Sequence, residues 1–224
     1  MPLQAISRVT HWTAWQPEDK RKRMAFLKTG FVSETVPQLR GGRLLMRPPA
    51  PSDYVAWAEL REISRAHLTP WEPKWARDEL SRWAYRRRLR YYQRDQREDM
   101  GYAFFIFAED TGELMGGLTL SNVRRGVTQA SALGYWLGEP YIGQGNMRTA
   151  VALAANYAFS ALRLHRIEAA CLPSNAASIA VLRGNGFQEE GLARRYLKIN
   201  GVWSDHILFG LLVDDPRPGK DIGY

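Results

Sequence analysis

Between Arg43 and Leu212 the apolar positions follow two rhythms, and the points where one gives way to the other outline the elements. "RLLMRPP" at 43–49 alternates as a strand does and is closed by prolines, which cannot continue a ladder. "SDYVAWAELREISRAH" switches to a helical period, with Ser52 or Asp53 as N-cap and Val55, Leu60 and Ile63 on its apolar face. A stiff loop, "LTPWEPKW" at 68–75, leads to a long arginine-rich helix in which Leu80, Trp83, Ala84 and Tyr91 share a face. "GYAFFIFAED" and "ELMGGLTLSNV" predict two antiparallel strands joined by "DTGE", and "ASALGYWLG" predicts a third. Met147, Val151, Ala154 and Ala158 recur at i, i+4, i+7 and i+11, which predicts a helix reaching about Leu162 with one buried stripe. "RIEAACLP" is a strand stopped by Pro173, and "SNAASIAVLRGNGF" a short helix with a Ser or Asn cap. The last two strands flank Asn200-Gly201, a strong hairpin signal.

This pattern divides the chain into a basic N-terminal extension (1–41), ended by Pro37 and the Gly41-Gly42 pair, a single domain (42–213) and a polar tail (214–224). At 224 residues and 45% hydrophobic, the chain can bury one substantial core. Its single cysteine, Cys171, excludes an internal disulfide and reads as a small buried residue; its four histidines are too scattered for a metal cluster. With no run of 18 apolar residues and no signal-peptide pattern, the expectation is a cytoplasmic protein without a membrane partner. The net charge of +8 favours encounter with nucleic acid, a ribosome, another acidic surface or a polyphosphate cofactor. "KRKR" at 20–23 and "RRRLR" at 86–90 are solvated faces or contacts to RNA phosphates.

"YIGQGNMRTA" at 141–150 places Gly143 and Gly145 between a strand and a helix. Amides turned inward at a helix N-terminus hold phosphates, but two glycines before a helix also make a plain turn. It is neither a Walker loop nor a dinucleotide "GxGxxG", because Arg148 stands where the third glycine would be. The order "GYWLG", glycine turn, helix, strand ending in proline, "NAAS" and "VLRGNGF" resembles the Gcn5-related N-acetyltransferase superfamily over about residues 43 to 212. "HLTPWEP", "LSNVRRG", "LGYWLG", "LHRIEA" and "YLKINGVWSDH" are similar to the ribosomal-protein alanine N-acetyltransferases of the RimJ and RimL group, RimJ more than RimL.

That resemblance implies an α/β (α+β) domain with a mixed, mostly antiparallel central sheet of about seven strands flanked by helices. It implies acetyl-CoA as co-substrate, no metal, and a partner that is a ribosomal protein N-terminus or the small ribosomal subunit. The family's pyrophosphate cradle falls on Gln144, Gly145, Asn146, Met147, Arg148 and Thr149, its pantetheine contact on the backbone near Leu137, and its CoA-arm asparagine on Asn175, which also reads as an N-cap. Ile142 and Met147 depart from the usual loop residues, a tolerable change because the cradle uses amides.

Acetyl transfer to an amine needs a neutral nucleophile, a polarised carbonyl and a proton for the departing thiolate. The superfamily's usual tyrosine is Leu182 here; Ser178 matches a serine proposed for that role in the ribosomal subgroup, though it can instead bond its own backbone. If Asn200 and Gly201 are the turn, Tyr196 lies opposite Asp205, as a hydrogen-bonded acid near the substrate groove or as an ordinary polar pair. Glu72 is the remaining candidate to bind or deprotonate the amine. Trp71 beside it is a candidate substrate contact, and it, Trp75 and Trp83 also read as groove wall or core. Acetylation of a small-molecule amine and a ribosome-assembly role with a secondary acetyl-CoA site are the competing readings.

Overall fold

The computed structural model describes residues 38–220, so the basic run at 20–23, the rest of 1–37 and the end of the tail lie outside the described residues. The strands are β1 (Leu39–Gly41), β2 (Leu44–Arg47), β3 (Tyr102–Ala108), β4 (Leu114–Arg124), β5 (Ala130–Leu137), β6 (Arg166–Cys171), β7 (Gln188–Ile199) and β8 (Val202–Leu212). They form one sheet in the order β1-β2-β3-β4-β5-β6-β8-β7, antiparallel except where β5 meets β6. The mixed, mostly antiparallel sheet is therefore as expected, with eight strands. The additional strand is β1, which pairs with β2 through a turn at Gly42 (φ 62°). The Gly41-Gly42 pair is thus the bend of a hairpin, and the sheet begins at Leu39, upstream of the boundary read there.

The helices are α1 (Tyr54–Ile63), α2 (Arg65–Leu68), α3 (Arg82–Arg97), α4 (Asn146–Ser160) and α5 (Ala176–Gly184). Strand β3 shows how they sit. Phe104 and Ile106 face the core shared with α4, while Phe105 and Phe107 face the cluster of Trp57, Leu60, Tyr85 and Leu89 under α1 and α3. Both faces are covered, which is why the strand reads as an unbroken apolar run. The stripe of α4 is buried as predicted, and its alanines let the helix lie close to the sheet.

On the other face the helical period was right and the phase only in part: Leu60 and Ala84 are buried as read, but their companions are not. In α1, Val55 and Ile63 are exposed at 52% and 62%, while Trp57, Leu60 and Arg61 turn inward. In α3, Trp83 and Tyr91 are exposed at 58% and 52%, while Ala84, Tyr85 and Leu89 are buried. Tyr85 sets that phase: its ring lies 4.9 Å from Trp57, and its hydroxyl donates to the Ala50 carbonyl at 2.7 Å. An aromatic with a polar tip wins the inner position where the tip finds a buried acceptor. Among the described residues, no helix is long and apolar enough to cross a membrane.

Candidate active site

β5 and β6 pair at Ala130–Arg166, Ser131–Ile167 and Ala132–Glu168 only. Beyond Ala132, β5 continues to Leu137 with β4 on one side, while β6 follows β8 over its whole length. The edge of Leu133–Leu137 that faces β6 thus offers backbone donors and acceptors to an extended ligand, as a sheet edge offers them to an added strand. Leu137, the predicted backbone contact, ends this edge.

A short 3-10 turn, Glu139–Tyr141, leads from the strand into the glycine turn. Gly143 (φ 72°) and Gly145 (φ 78°) occupy the left-handed region, and a Cβ on either would meet nothing within 4 Å. Glycine is therefore required by backbone angle, not by crowding. Gly145 is the N-cap of α4, and Thr149 N–H closes the first helical bond onto the Gly145 carbonyl at 3.1 Å. The amides of Asn146, Met147 and Arg148 precede the ladder, at the positive end of a 15-residue helix. The Gln144 side chain donates to the Pro140 carbonyl at 3.2 Å and that of Asn146 to the Tyr141 carbonyl at 3.2 Å, so they brace the loop from behind. Met147 turns its side chain into the core and offers its amide alone. Thr149, included in the predicted cradle, differs from its neighbours because its amide is committed to Gly145. These donors and the free β5 edge fit a ligand that joins a polar, extended arm to a pyrophosphate.

Across the parted strands, Asn175 caps α5 by accepting from Ser178 N–H at 3.0 Å. The cap therefore uses its Oδ1, and its Nδ2 is the atom available to a ligand. Ser178 Oγ lies 2.8 Å from the Tyr135 hydroxyl. Burial pushes the Tyr135 phenol up to about 12, against the lowering effect of the Ser178 bond. Burial also raises the Cys171 thiol, which bonds Ser178 as well and is buried as expected. Tyr135 was missed in the sequence. The signal was its place in "GYWLG", where a strand residue two before Leu137 shares Leu137's face.

The next residue of β5 points the other way. Trp136 lies across Gly117, where an added Cβ would fall 2.6 Å from its Nε1. It walls a cavity of about 400 Å³ with Arg61, Trp75, Glu79, Arg88 and Tyr92. Glu72 also lines this cavity, but its carboxylate is occupied: Arg61 donates to it at 2.5 and 3.1 Å and the Trp75 indole at 2.7 Å. The Arg61 guanidinium carbon sits 4.5 Å from the Trp75 ring centre and 4.9 Å from that of Trp136. Trp71, in the same loop, is outside the lining, and Trp75 holds the wall position expected of it. The Glu72 carbonyl also accepts from Asn200 N–H at 2.8 Å, which ties the tip of the β7–β8 hairpin to this loop.

The hairpin follows the predicted register from Ile199–Val202 through Lys198–Trp203 to Leu197–Ser204 and then departs from it. The next pair is Ala193 with His206, so three residues bulge opposite one. Arg195 takes φ 48° and donates its N–H to the Asp205 carboxylate at 2.8 Å. The expected Tyr196–Asp205 pair does not form; Tyr196 instead packs edge-on to His206, ring centres 5.9 Å apart. Among the described residues there is no cluster of potential metal ligands.

The amino-acid sequence matches the Acetyltransferase (GNAT) domain family over residues 43–188. It is 36% identical to a probable N-acetyltransferase, YjcK, of Bacillus subtilis over 79% of this chain and 98% of that protein. It is 34% identical to the [ribosomal protein uS5]-alanine N-acetyltransferase of Escherichia coli over 83% of this chain and 96% of that one. Among solved structures, RimJ of Mycobacterium smegmatis in complex with CoA-disulfide superposes with a TM-score of 0.73 at 34% identity, over 79% of this chain and 86% of that one.

Proposed function

The chain belongs to the GNAT family of acetyltransferases, and on that premise we propose that it transfers the acetyl group of acetyl-CoA to the N-terminal alanine amine of a small-subunit ribosomal protein. The observation that carries the donor half is the unpaired β5 edge, Leu133–Leu137, leading into the free amides of Asn146–Arg148. The acceptor half is supported by the similarity to a uS5-alanine N-acetyltransferase along nearly its whole length.

Acetyl-CoA supplies an activated thioester carbonyl and a thiol leaving group. The β5 edge and the loop amides hold the donor, with Asn175 Nδ2 on its arm. The cavity behind Trp136 receives the amine. An N-terminal amine has a pKa near 8, so roughly a tenth of it is neutral at pH 7 and no strong base is required. Nitrogen attacks the carbonyl and becomes cationic, the carbon–sulfur bond breaks, and the proton that the nitrogen loses as the amide forms passes, directly or through water, to the departing thiolate. A phenol at about 12 lies well above a thiol's about 8.5, so Tyr135 donates a hydrogen bond to the sulfur without surrendering its proton. Ser178 orients that phenol at 2.8 Å. Glu72 acts through Arg61 as a positioning residue that fixes the cavity wall.

The test is intact-mass analysis of small-subunit ribosomal proteins from cells with and without the gene. One protein lighter by an acetyl group in the deletion is the expected result; an unchanged mass set overturns the acceptor assignment.

A further inference from the structure

We infer that the outward face of α3 is an RNA-docking surface that sets a ribonucleoprotein beside the acceptor cavity. Trp83, Arg87, Arg90, Arg94 and Arg97 recur at i, i+4, i+7, i+11 and i+14 and form one exposed stripe, with Tyr91 beside it. The helix carries a single carboxylate, Asp95, whose side chain is 12% exposed. Among the described residues its ion pairs are Arg88 with Glu79 and Arg94 with Asp95, which leaves Arg87, Arg90 and Arg97 of the stripe, like Arg82 and Arg86, without a carboxylate. A solvated basic helix is usually interleaved with acids, and this one is not.

Two further features select RNA over other polyanions. The guanidinium of Arg87 stacks 4.3 Å from the centre of the Trp83 ring and that of Arg94 4.9 Å from Tyr91, so planar cations sit against exposed rings on this face. Unpaired bases stack on such platforms while arginines meet the phosphates. A membrane surface would call for a continuous apolar face able to enter acyl chains, and the stripe has one Trp with no Leu, Ile or Phe beside it. The fourteen-residue interval from Trp83 to Arg97 gives about 21 Å of helix, enough to follow about six phosphates of a strand. The same helix turns Arg88 and Tyr92 into the acceptor cavity, so RNA on its outer side brings a bound protein's N-terminus within reach of the inner side. That ribosomal setting rests on the proposed acceptor; RNA binding itself does not.

The test measures binding of the full chain to a fluorescein-labelled 20-nucleotide RNA hairpin with an unpaired loop, between 50 and 300 mM salt, roughly the range in which phosphate contacts are lost. The comparison variant is Arg87→Gln/Arg90→Gln/Arg97→Gln, confined to exposed side chains. Removing three phosphate contacts is expected to flatten the log–log salt slope by about 2. Trp83→Ala is expected to weaken the looped hairpin about tenfold and a blunt duplex of equal length hardly at all. An unchanged slope in a triple variant with wild-type circular dichroism overturns the inference. So does tighter binding, through the same arginines, to phosphatidylserine vesicles or polyglutamate. Acetylation of a free alanine-terminated peptide is expected at the wild-type rate in the triple variant. If the wild-type chain fails that reaction while binding RNA, the proposed function falls and the docking surface stands.

Discussion

Glu72→Gln separates a structural carboxylate from a catalytic base. The Arg61 side chain is 5% exposed and that of Glu72 21% exposed, and Arg61 Nε is already buried without a partner. The guanidinium's charge is therefore balanced through Nη1 and Nη2, both on Glu72. Removing one partner of a fully buried pair costs about 3–5 kcal/mol; partial access of Glu72 to water reduces this to about 2–3 kcal/mol. In a domain of this size that lowers Tm by about 4–12 °C. The assay is urea and thermal unfolding of the variant beside initial rates from pH 6 to 9. Expected are a lower denaturation midpoint, a raised KM for the acceptor and an unchanged pH profile. Arg61→Met with Glu72→Leu, which replaces the pair by apolar groups, is expected to recover most of the stability but not the KM. Wild-type stability in Glu72→Gln with a hundredfold loss of kcat and a displaced pH profile would refute this reasoning and return Glu72 to the role of base.

Tyr135→Phe is expected to lower kcat about tenfold to a hundredfold with little change in acetyl-CoA KM. In the wild type, kcat/KM should rise with pH as the amine deprotonates near 8 and show no falling limb below pH 10, since the phenol at about 12 remains protonated; steady-state profiles check both. Gly145→Asn and Gly145→Asp impose the same left-handed backbone on residues that tolerate it, so their difference isolates charge. Aspartate should raise the acetyl-CoA KM at least tenfold above asparagine in titrations of initial rate. Asp205→Ala should cost about 1 kcal/mol in urea unfolding by releasing the Arg195 amide, whereas Tyr196→Phe should leave both stability and rate within twofold of wild type.

The elements that could be read from the chain were those in which one signal dominates. The α4 stripe is legible because Met147, Val151, Ala154 and Ala158 admit one phase, and the Asn200-Gly201 turn because few pairs adopt its angles. The α1 and α3 faces were misphased because competing stripes coexist, and the choice depends on Tyr85 reaching Ala50, a contact 35 residues distant. The hairpin bulge gives no warning: its left-handed residue is Arg195, not a glycine. Of the site, the glycine loop stood out as a turn before a helix, while its phosphate role and the candidacy of Ser178 came from the family resemblance. Tyr135 looked like any alternating strand residue, and Glu72 could be recognised as half of an ion pair only once Arg61 was seen to face inward.

The short parallel join between β5 and β6 has a mechanical meaning. Within the sheet only three rungs join two leaves, β1–β5 on one side and β6–β8 on the other, and the arm of the proposed donor would lie where further rungs would be. A molecule bound there acts as a splint across the sheet. Its occupancy is expected to stiffen the leaf that carries the β7–β8 hairpin, whose tip is bonded to the loop lining the cavity through Asn200 and Glu72. Donor first, acceptor second is the order such a frame favours, and the melting temperature should climb with acetyl-CoA concentration before any acceptor is present.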